Sequence, residues 1–224
     1  TVLPLPENQE EWKNLHVAFA TPRGGVRRNS MDAFANIPSN GKIAMKFGEE
    51  SADRLIGVAL LTEEDDVLLA SRHGKAIRFA ATDVREFAGR ESTGVRGMTL
   101  AHGDEVISLS ILHRVGTGQE EREDYLRFAP WKGEREGECP LPPERYAELQ
   151  DKEQFILTVT ENGYGKRSSA YEYRRTNRGG QGIANIDTSE RNGPVVASFP
   201  ATNGEQIMLV TDQAKMIRTM VGDI

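Results

Sequence analysis

Four stretches of this chain align with one another without gaps over twelve residues: VAFATPRGGVRR (17–28), VLLASRHGKAIR (67–78), ILTVTENGYGKR (156–167) and IMLVTDQAKMIR (207–218). Each reads as an apolar strand, a short polar turn and a second strand that ends on arginine. Self-similarity of this kind restricts the fold more than any other feature here, because a repeat that cannot bury its own faces must stack on its neighbours. Val, Ile, Leu and Thr dominate the arms, which favours strands over helices. Gly24, Gly74 and Gly163 share one turn position, with Ala214 in the fourth copy. Glycine there suggests a backbone that needs positive φ, as tight hairpin turns do.

The arginines set the period. Arg28 and Arg78 are 50 residues apart and Arg167 and Arg218 are 51 apart, whereas Arg78 and Arg167 are separated by 89. The second half of the unit repeats as well. A polar segment (30–34, 82–87, 170–174) is followed by a glycine-rich turn and a third strand (40–47, 93–100, 179–186), then a fourth strand (55–60, 106–112, 195–199). Four short strands per roughly 50 residues predict an all-β fold, a propeller-like disc of four-stranded blades. A β-sandwich with accidental self-similarity is the alternative. The blades are expected at 16–65, 66–113 and 154–205, with the end of a preceding blade at 1–15 and a partial last blade at 206–224.

The extra length falls at 114–153. Residues 114–152 carry seven basic and ten acidic side chains, and Pro140, Pro142 and Pro143 follow the acidic runs. This composition predicts an exposed acidic loop, with room for a short helix at 143–149 and no requirement for it in blade folding. The formal net charge of the whole chain is −6, which argues against a uniformly basic nucleic-acid binder. Cys139 is the single cysteine, so neither an intramolecular disulfide nor a cysteine-rich zinc site is available. A cytoplasmic, reducing location is expected, and no apolar run approaches the roughly 20 residues of a membrane helix. The four histidines lack metal-ligand spacing, and 179–182 lacks the Gly-Lys-Ser/Thr ending of a P-loop. Asp65-Asp66 and Glu63-Glu64 read as a solvated turn between blades. No nucleophile stands beside a base.

Five stretches together resemble the C-terminal domain of bacterial DNA gyrase A: 53–58 (DRLIGV), 74–79 (GKAIRF), 93–97 (TGVRG), 162–167 (NGYGKR) and 189–193 (SERNG). The resemblance implies a β-pinwheel, a six-bladed disc whose blades exchange strands, of which roughly four are represented. It places the family's Gln-Arg-Arg-Gly-Gly-Lys-Gly box upstream of Thr1. Arg178-Gly179-Gly180-Gln181-Gly182 then looks like a worn copy in a later blade, to which the box's role is not transferred. It also implies DNA wrapped around a basic rim in support of ATP-dependent negative supercoiling, by a type IIA topoisomerase whose catalytic residues lie elsewhere. The implied partners are duplex DNA, gyrase B and the rest of gyrase A in an A2B2 complex, with ATP and Mg only in the holoenzyme. The fragment itself is expected to be a monomer without a cofactor or a membrane.

The candidate DNA contacts are Arg28, Lys75, Arg78, Lys166, Arg167, Arg174, Arg175, Arg178, Lys215 and Arg218. Wrapping needs phosphate neutralisation spread along an edge rather than readout of bases, and repeated basic positions supply it. An arginine that closes a strand is equally well a solvated end or a partner for a carboxylate, so the ring of four stands only if it faces outward. The competing readings are the matching C-terminal domain of topoisomerase IV and a propeller-like protein-interaction scaffold. A propeller enzyme has no candidate residues.

Overall fold

The computed structural model describes residues 3–47, 53–89, 91–133 and 136–224. Residues 1–2 and 48–52, Arg90 and the acidic-run residues 134–135 lie outside it.

The repeats form blades. The hairpin β1 (His16–Ala20) and β2 (Gly25–Ser30) is flanked by β3 (Gly57–Leu61) from its own repeat. The next hairpin, β4 (Asp65–Ser71) and β5 (Lys75–Ala80), is followed by β6 (Val95–Arg96) and β7 (Val106–His113). Strand β7 stays with its hairpin, but β6 crosses back and pairs with β2, giving the order β3-β1-β2-β6. The third repeat does the same. Its hairpin is β8 (Phe155–Thr160) and β9 (Gly165–Ser169), and β10 (Ile183–Ala184) crosses back onto β5, while β11 (Val195–Ala201) pairs with β8. The last hairpin is β12 (Gln206–Val210) and β13 (Met216–Met220). Blades that exchange strands are therefore observed. Residues 40–47, expected as the third strand of the first repeat, form no strand; the described residues contain no hairpin ahead of β1 for them to join.

The hairpin turns explain the repeated glycine. In each, a backbone hydrogen bond closes three residues, as from Gly74 N to Ser71 O at 3.1 Å and from Gly163 N to Thr160 O at 3.0 Å. The third loop residue then turns left-handed: φ is +81° at Gly24, +78° at Gly74, +80° at Gly163 and +59° at Ala214. This is the type I turn plus bulge of three-residue hairpins.

Each of the first two turns is also a docking point. Gly74 O accepts from Asn185 N (2.7 Å) and Ile186 N (3.3 Å) of the following repeat; Gly24 O accepts from Gly97 N (2.8 Å) and Met98 N (3.2 Å). The chains come so close that a Cβ on Gly74 would sit 2.2 Å from Ile186 O, while one on Gly163 would meet nothing within 4 Å.

The core lies between blades. Val67, Leu69, Ile77 and Phe79 face the first blade, with Ala18, Val26, Met98 and Val106 in the same cluster. Leu68, Ala70 and Ala76 face the third blade, with Ile156, Ala170 and Tyr173. All seven residues of β4 are buried, as a strand covered on both faces must be. The third blade also carries a buried polar chain. Tyr173 OH donates to Asn185 Oδ1 (2.6 Å), Asn185 Nδ2 donates to Thr158 Oγ1 (3.1 Å), and Thr158 Oγ1 meets Ser198 Oγ at 3.0 Å.

The insert is not an open loop. It folds into α1 (Gln119–Phe128) and α2 (Pro143–Asp151), of which only part of α2 was legible. Tyr125, Ala129 and Leu149 are fully buried and pack on Tyr171, which stands in the turn after β9. Tyr171 OH donates to Leu149 O (3.0 Å), and Tyr125 OH and Trp131 Nε1 donate to the Glu153 carboxylate (2.8 and 3.0 Å). Apolar burial outweighs the acidic composition because the acids face outward. Arg145 binds Glu121 at 2.7 Å and Glu148 at 2.6 Å, and holds both carboxyls below their ordinary pKa, with Lys152 the larger cause at Glu148.

Two predictions come from this packing. Gly163→Ala is expected to cost about 1 kcal/mol, the left-handed backbone penalty alone. Gly74→Ala is expected to cost clearly more in urea unfolding, because its Cβ collides with the backbone of the next blade. Burial raises the phenol pKa of Tyr125, Tyr146, Tyr171 and Tyr173 above the ordinary 10, with Tyr173 pushed up to about 12. A raised phenol pKa gives stability that is complete below pH 10 and is lost as pH rises through the folded-state value. Absorbance of phenolate at 295 nm from these four is therefore expected to rise together with loss of circular dichroism above pH 10.

Candidate nucleic-acid interface

The ten basic candidates divide by what their side chains touch. Arg28 and Arg78 are 5% and 8% exposed. Both lie on the face of their hairpin that meets the next blade. Arg28 Nε donates to Val84 O (2.9 Å), the residue closing the 3-10 turn of the second repeat, and Nη1 reaches Glu63 (3.2 Å). Arg78 Nη1 donates to Ala170 O (2.9 Å), which opens the equivalent turn of the third repeat, and Nε binds Asp66 Oδ2 at 2.9 Å. Arg167, half-buried over the Phe155 ring, donates from Nη1 to Val221 O (3.1 Å) in the turn after β13, and to Asn203 Oδ1 (2.8 Å).

The repeated arginine is thus a clamp from one blade to the next. The ring does not face outward, which removes Arg28 and Arg78 from the candidate interface and leaves Arg167 partly committed. Burial pulls the Arg78 pKa down from the ordinary guanidinium value; Asp66 opposes that shift and Arg175 adds to it. Asp65 and Asp66, expected as solvated, are 6% and 1% exposed; Asp66 serves the joint through Arg78. His113 Nδ1 meets Asp65 at 2.8 Å, and His16 Nε2 meets Glu86 at 2.9 Å.

Four of the other candidates, Lys75, Arg174, Arg175 and Arg178, lie on or beside the segment 174–183. It leaves the 3-10 turn Ala170–Glu172, follows the edge of β5, and ends as β10. Thr176 N donates to Arg78 O (2.8 Å), Gly179 N to Gly97 O (2.6 Å), and Thr99 N to Gly180 O (2.9 Å). The segment therefore ties the third repeat to the first strand the second repeat gives away. Arg178 has a fixing role: Nε donates to Asp83 O (2.8 Å) and Nη1 to Arg96 O (2.9 Å). Arg174 and Arg175 are exposed along the segment, and Lys75 is exposed beside Ala184. Arg175 keeps only a long contact of 3.9 Å to Asp66.

Lys166 is half-buried on β9, and Lys215 and Arg218 are exposed on the last hairpin. Sequence reasoning passed over Arg96, which is exposed and runs close to Gly179. The fourfold alignment of the hairpins does not reach it, and the equivalent position in the next repeat is Ala184. Among the described residues, no three His, Cys, Asp or Glu side chains are placed to hold a metal ion, and no helix is long and apolar enough to cross a membrane.

Blades joined by exchanged strands, with an arginine clamp at each joint and basic side chains left exposed along one segment, define a β-propeller-like module of the pinwheel type. Residues 16–62, 65–113 and 154–202 match the family of the DNA gyrase C-terminal domain, beta-propeller, and the chain belongs to that family. Helices α1 and α2 fall in the gap between the matched segments. Similar curated proteins include the DNA gyrase A protein of Granulibacter bethesdensis, 51% identical over 97% of this chain, and that of Rickettsia bellii, 45% identical over 97%. The chain spans 25% of the length of each relative. Among solved structures, a DNA gyrase A C-terminal domain superposes with a TM-score of 0.67 at 22% identity, over 95% of this chain and 57% of that one. A C-terminal domain of DNA topoisomerase IV superposes with 0.70 at 18% identity, over 94% and 54%. At those identities the structural likeness establishes the fold alone.

The clamp generates a prediction. Arg78→Met leaves Asp66 short of its buried partner and is expected to cost about 3 kcal/mol in urea unfolding. Arg218→Ala, at an exposed copy of the same position, is expected to change stability by less than about 0.5 kcal/mol.

Proposed function

We propose that this chain binds duplex DNA along its edge and bends it, as the wrapping module of a gyrase that introduces negative supercoils. The observation that carries the reading is the segment 174–183. It is anchored by backbone hydrogen bonds to the second repeat and leaves Arg174 and Arg175 exposed, while Lys75 is exposed at its far end opposite Ala184. Lys166, Lys215 and Arg218, with the remaining capacity of Arg167, extend the same proposal to the following blades, and Arg96 to the preceding one. Arg178 acts as a positioning residue. The net charge of −6 is no obstacle, since a duplex meets one edge and not the average surface.

The full activity is proposed to need ATP-hydrolysing gyrase B and the rest of gyrase A in an A2B2 complex in the cytoplasm. The fragment itself supplies phosphate contacts and no catalytic group. Sequence likeness to gyrase A at 36–51% identity favours gyrase over topoisomerase IV, which the fold does not separate.

Fluorescence anisotropy with a linear duplex between about 50 and 200 mM salt tests this. Phosphate tracking predicts a steep fall of log K with log salt, and the double variant Lys75→Ala/Arg174→Ala is expected to make the slope shallower by about 2. Affinity indifferent to salt, or an unchanged slope in the variant, overturns the assignment of these residues. Ligation of nicked circles with bound protein reports the bend as a shift in linking number.

A further inference from the structure

A second basic feature surrounds Asp66, where the helical insert meets the blades. A cavity of about 270 Å³ is lined there by four arginines, Arg78, Arg114, Arg122 and Arg175, with Asp66 as the one lining carboxylate and Tyr171 in its wall. Three of the four lean on Asp66: Arg78 Nε at 2.9 Å, Arg114 Nε at 3.2 Å and Arg175 Nη1 at 3.9 Å. Arg114 Nη2 also donates to Glu63 O and Asp65 O at 3.3 Å.

Arg122 is different. Its Nε is buried and has no hydrogen-bond partner among the described residues. The nearest carboxylate is Glu123, 59% exposed and 3.9 Å from Nη2. The helix itself puts Arg122 there. Arg122, Tyr125, Leu126 and Ala129 are spaced as one face of α1, and Tyr125 and Ala129 are fully buried. The core-facing stripe of the helix therefore begins on a guanidinium.

A buried donor without a partner costs free energy, and four guanidinium groups around one carboxylate leave a large local excess of positive charge. Exposure falls from Arg175 (51%) through Arg114 (31%) and Arg122 (21%) to Arg78 (9%), so the charge is carried from the surface into the joint. The volume lies below the roughly 300–1,000 Å³ of pockets that enclose drug-sized ligands. A compact oxyanion fits it, and guanidinium forks match the oxygens of a phosphate.

We propose that this cavity is a phosphate-binding site, built jointly by the insert and the joint between the second and third blades. Arg122 and Arg175 are its principal donors, and Arg114 and Arg78 are held by Asp66 as its charged floor. The phosphate comes either from free inorganic phosphate and diphosphate or from a DNA backbone reaching the insert side of the disc. Arg175 is shared with the proposed DNA edge, but the site does not depend on Lys75 or Arg174, and Arg122 belongs to it alone.

The test is isothermal titration of the 224-residue chain with inorganic phosphate and with pyrophosphate, at constant ionic strength set by chloride. One saturable site per chain is expected. Arg122→Leu is expected to weaken it about tenfold or more, the loss of a charge-assisted hydrogen bond, with circular dichroism unchanged. Arg175→Gln, on a half-exposed side chain, is expected to weaken it too and serves if Arg122→Leu fails to fold. Arg191→Gln, remote from the cavity, is expected to leave binding as it is. A short duplex then separates the sources. Displacement of phosphate by duplex, with both weakened by Arg122→Leu, identifies the DNA backbone; phosphate binding untouched by duplex identifies the free anion. No saturable phosphate binding, or binding that neither arginine variant weakens, overturns the site.

Discussion

Everything in this molecule depends on the joint between one blade and the next. A hairpin whose second strand is left as an edge has unpaired N–H and C=O groups along its length. Here the following repeat covers that edge at two places. Near one end, Phe87 N donates to Arg28 O and Thr176 N to Arg78 O (2.9 and 2.8 Å); at the other, β6 and β10 pair for two residues each. Between those touches, the arginine side chain crosses to the 3-10 turn of the next repeat. Neither blade is complete without its neighbour, as in other repeat architectures with nearest-neighbour coupling. The left-handed glycine of the hairpin turn belongs to the same joint, because only a residue without Cβ lets the incoming strand reach the turn carbonyl.

The period, the hairpins and the left-handed turn residues are all legible in the sequence, because each depends on local patterns of residues. Strand exchange is legible only through the family resemblance and not in local patterns, since β6 and β10 are two residues long and their partners lie about 70 and 107 positions away in the register Gly25↔Arg96 and Ala76↔Ile183. The meaning of the repeated arginine was hidden for a related reason. Periodicity shows that Arg28, Arg78, Arg167 and Arg218 are equivalent, but equivalence around a disc is as compatible with an inward clamp as with an outward rim. What decides is the neighbouring backbone carbonyl, a backbone atom that leaves no trace in the side-chain pattern. Arg218 stays exposed because no later turn among the described residues meets it.

The insert shows the opposite error. Its composition is that of a solvated loop, and the acid count concealed the short apolar stripe of Tyr125, Leu126 and Ala129 and its counterpart Tyr146 and Leu149. Average hydropathy over about 40 residues is a poor guide when one narrow face is all that must be buried. Tyr171, which receives that face, lies outside the insert altogether and so gives no warning from within it.

Net charge misleads in the same way as mean composition. Many of the carboxylates are already committed: Asp66 to Arg78, Asp65 to His113, Glu86 to His16, Glu121 and Glu148 to Arg145. A duplex near the disc is influenced mainly by charges that remain uncompensated at the contact edge. If the chain wraps DNA as proposed, the buried arginines matter to it in a mechanical sense. Bending a 20–30 bp site costs roughly 1–6 kcal/mol by elastic estimates, and a rim whose joints gave way would straighten under that load. Under the proposed function, clamped joints transmit it from blade to blade, so that the exposed basic side chains hold a fixed curvature. On that reading, the buried clamps set the shape on which the exposed basic side chains act.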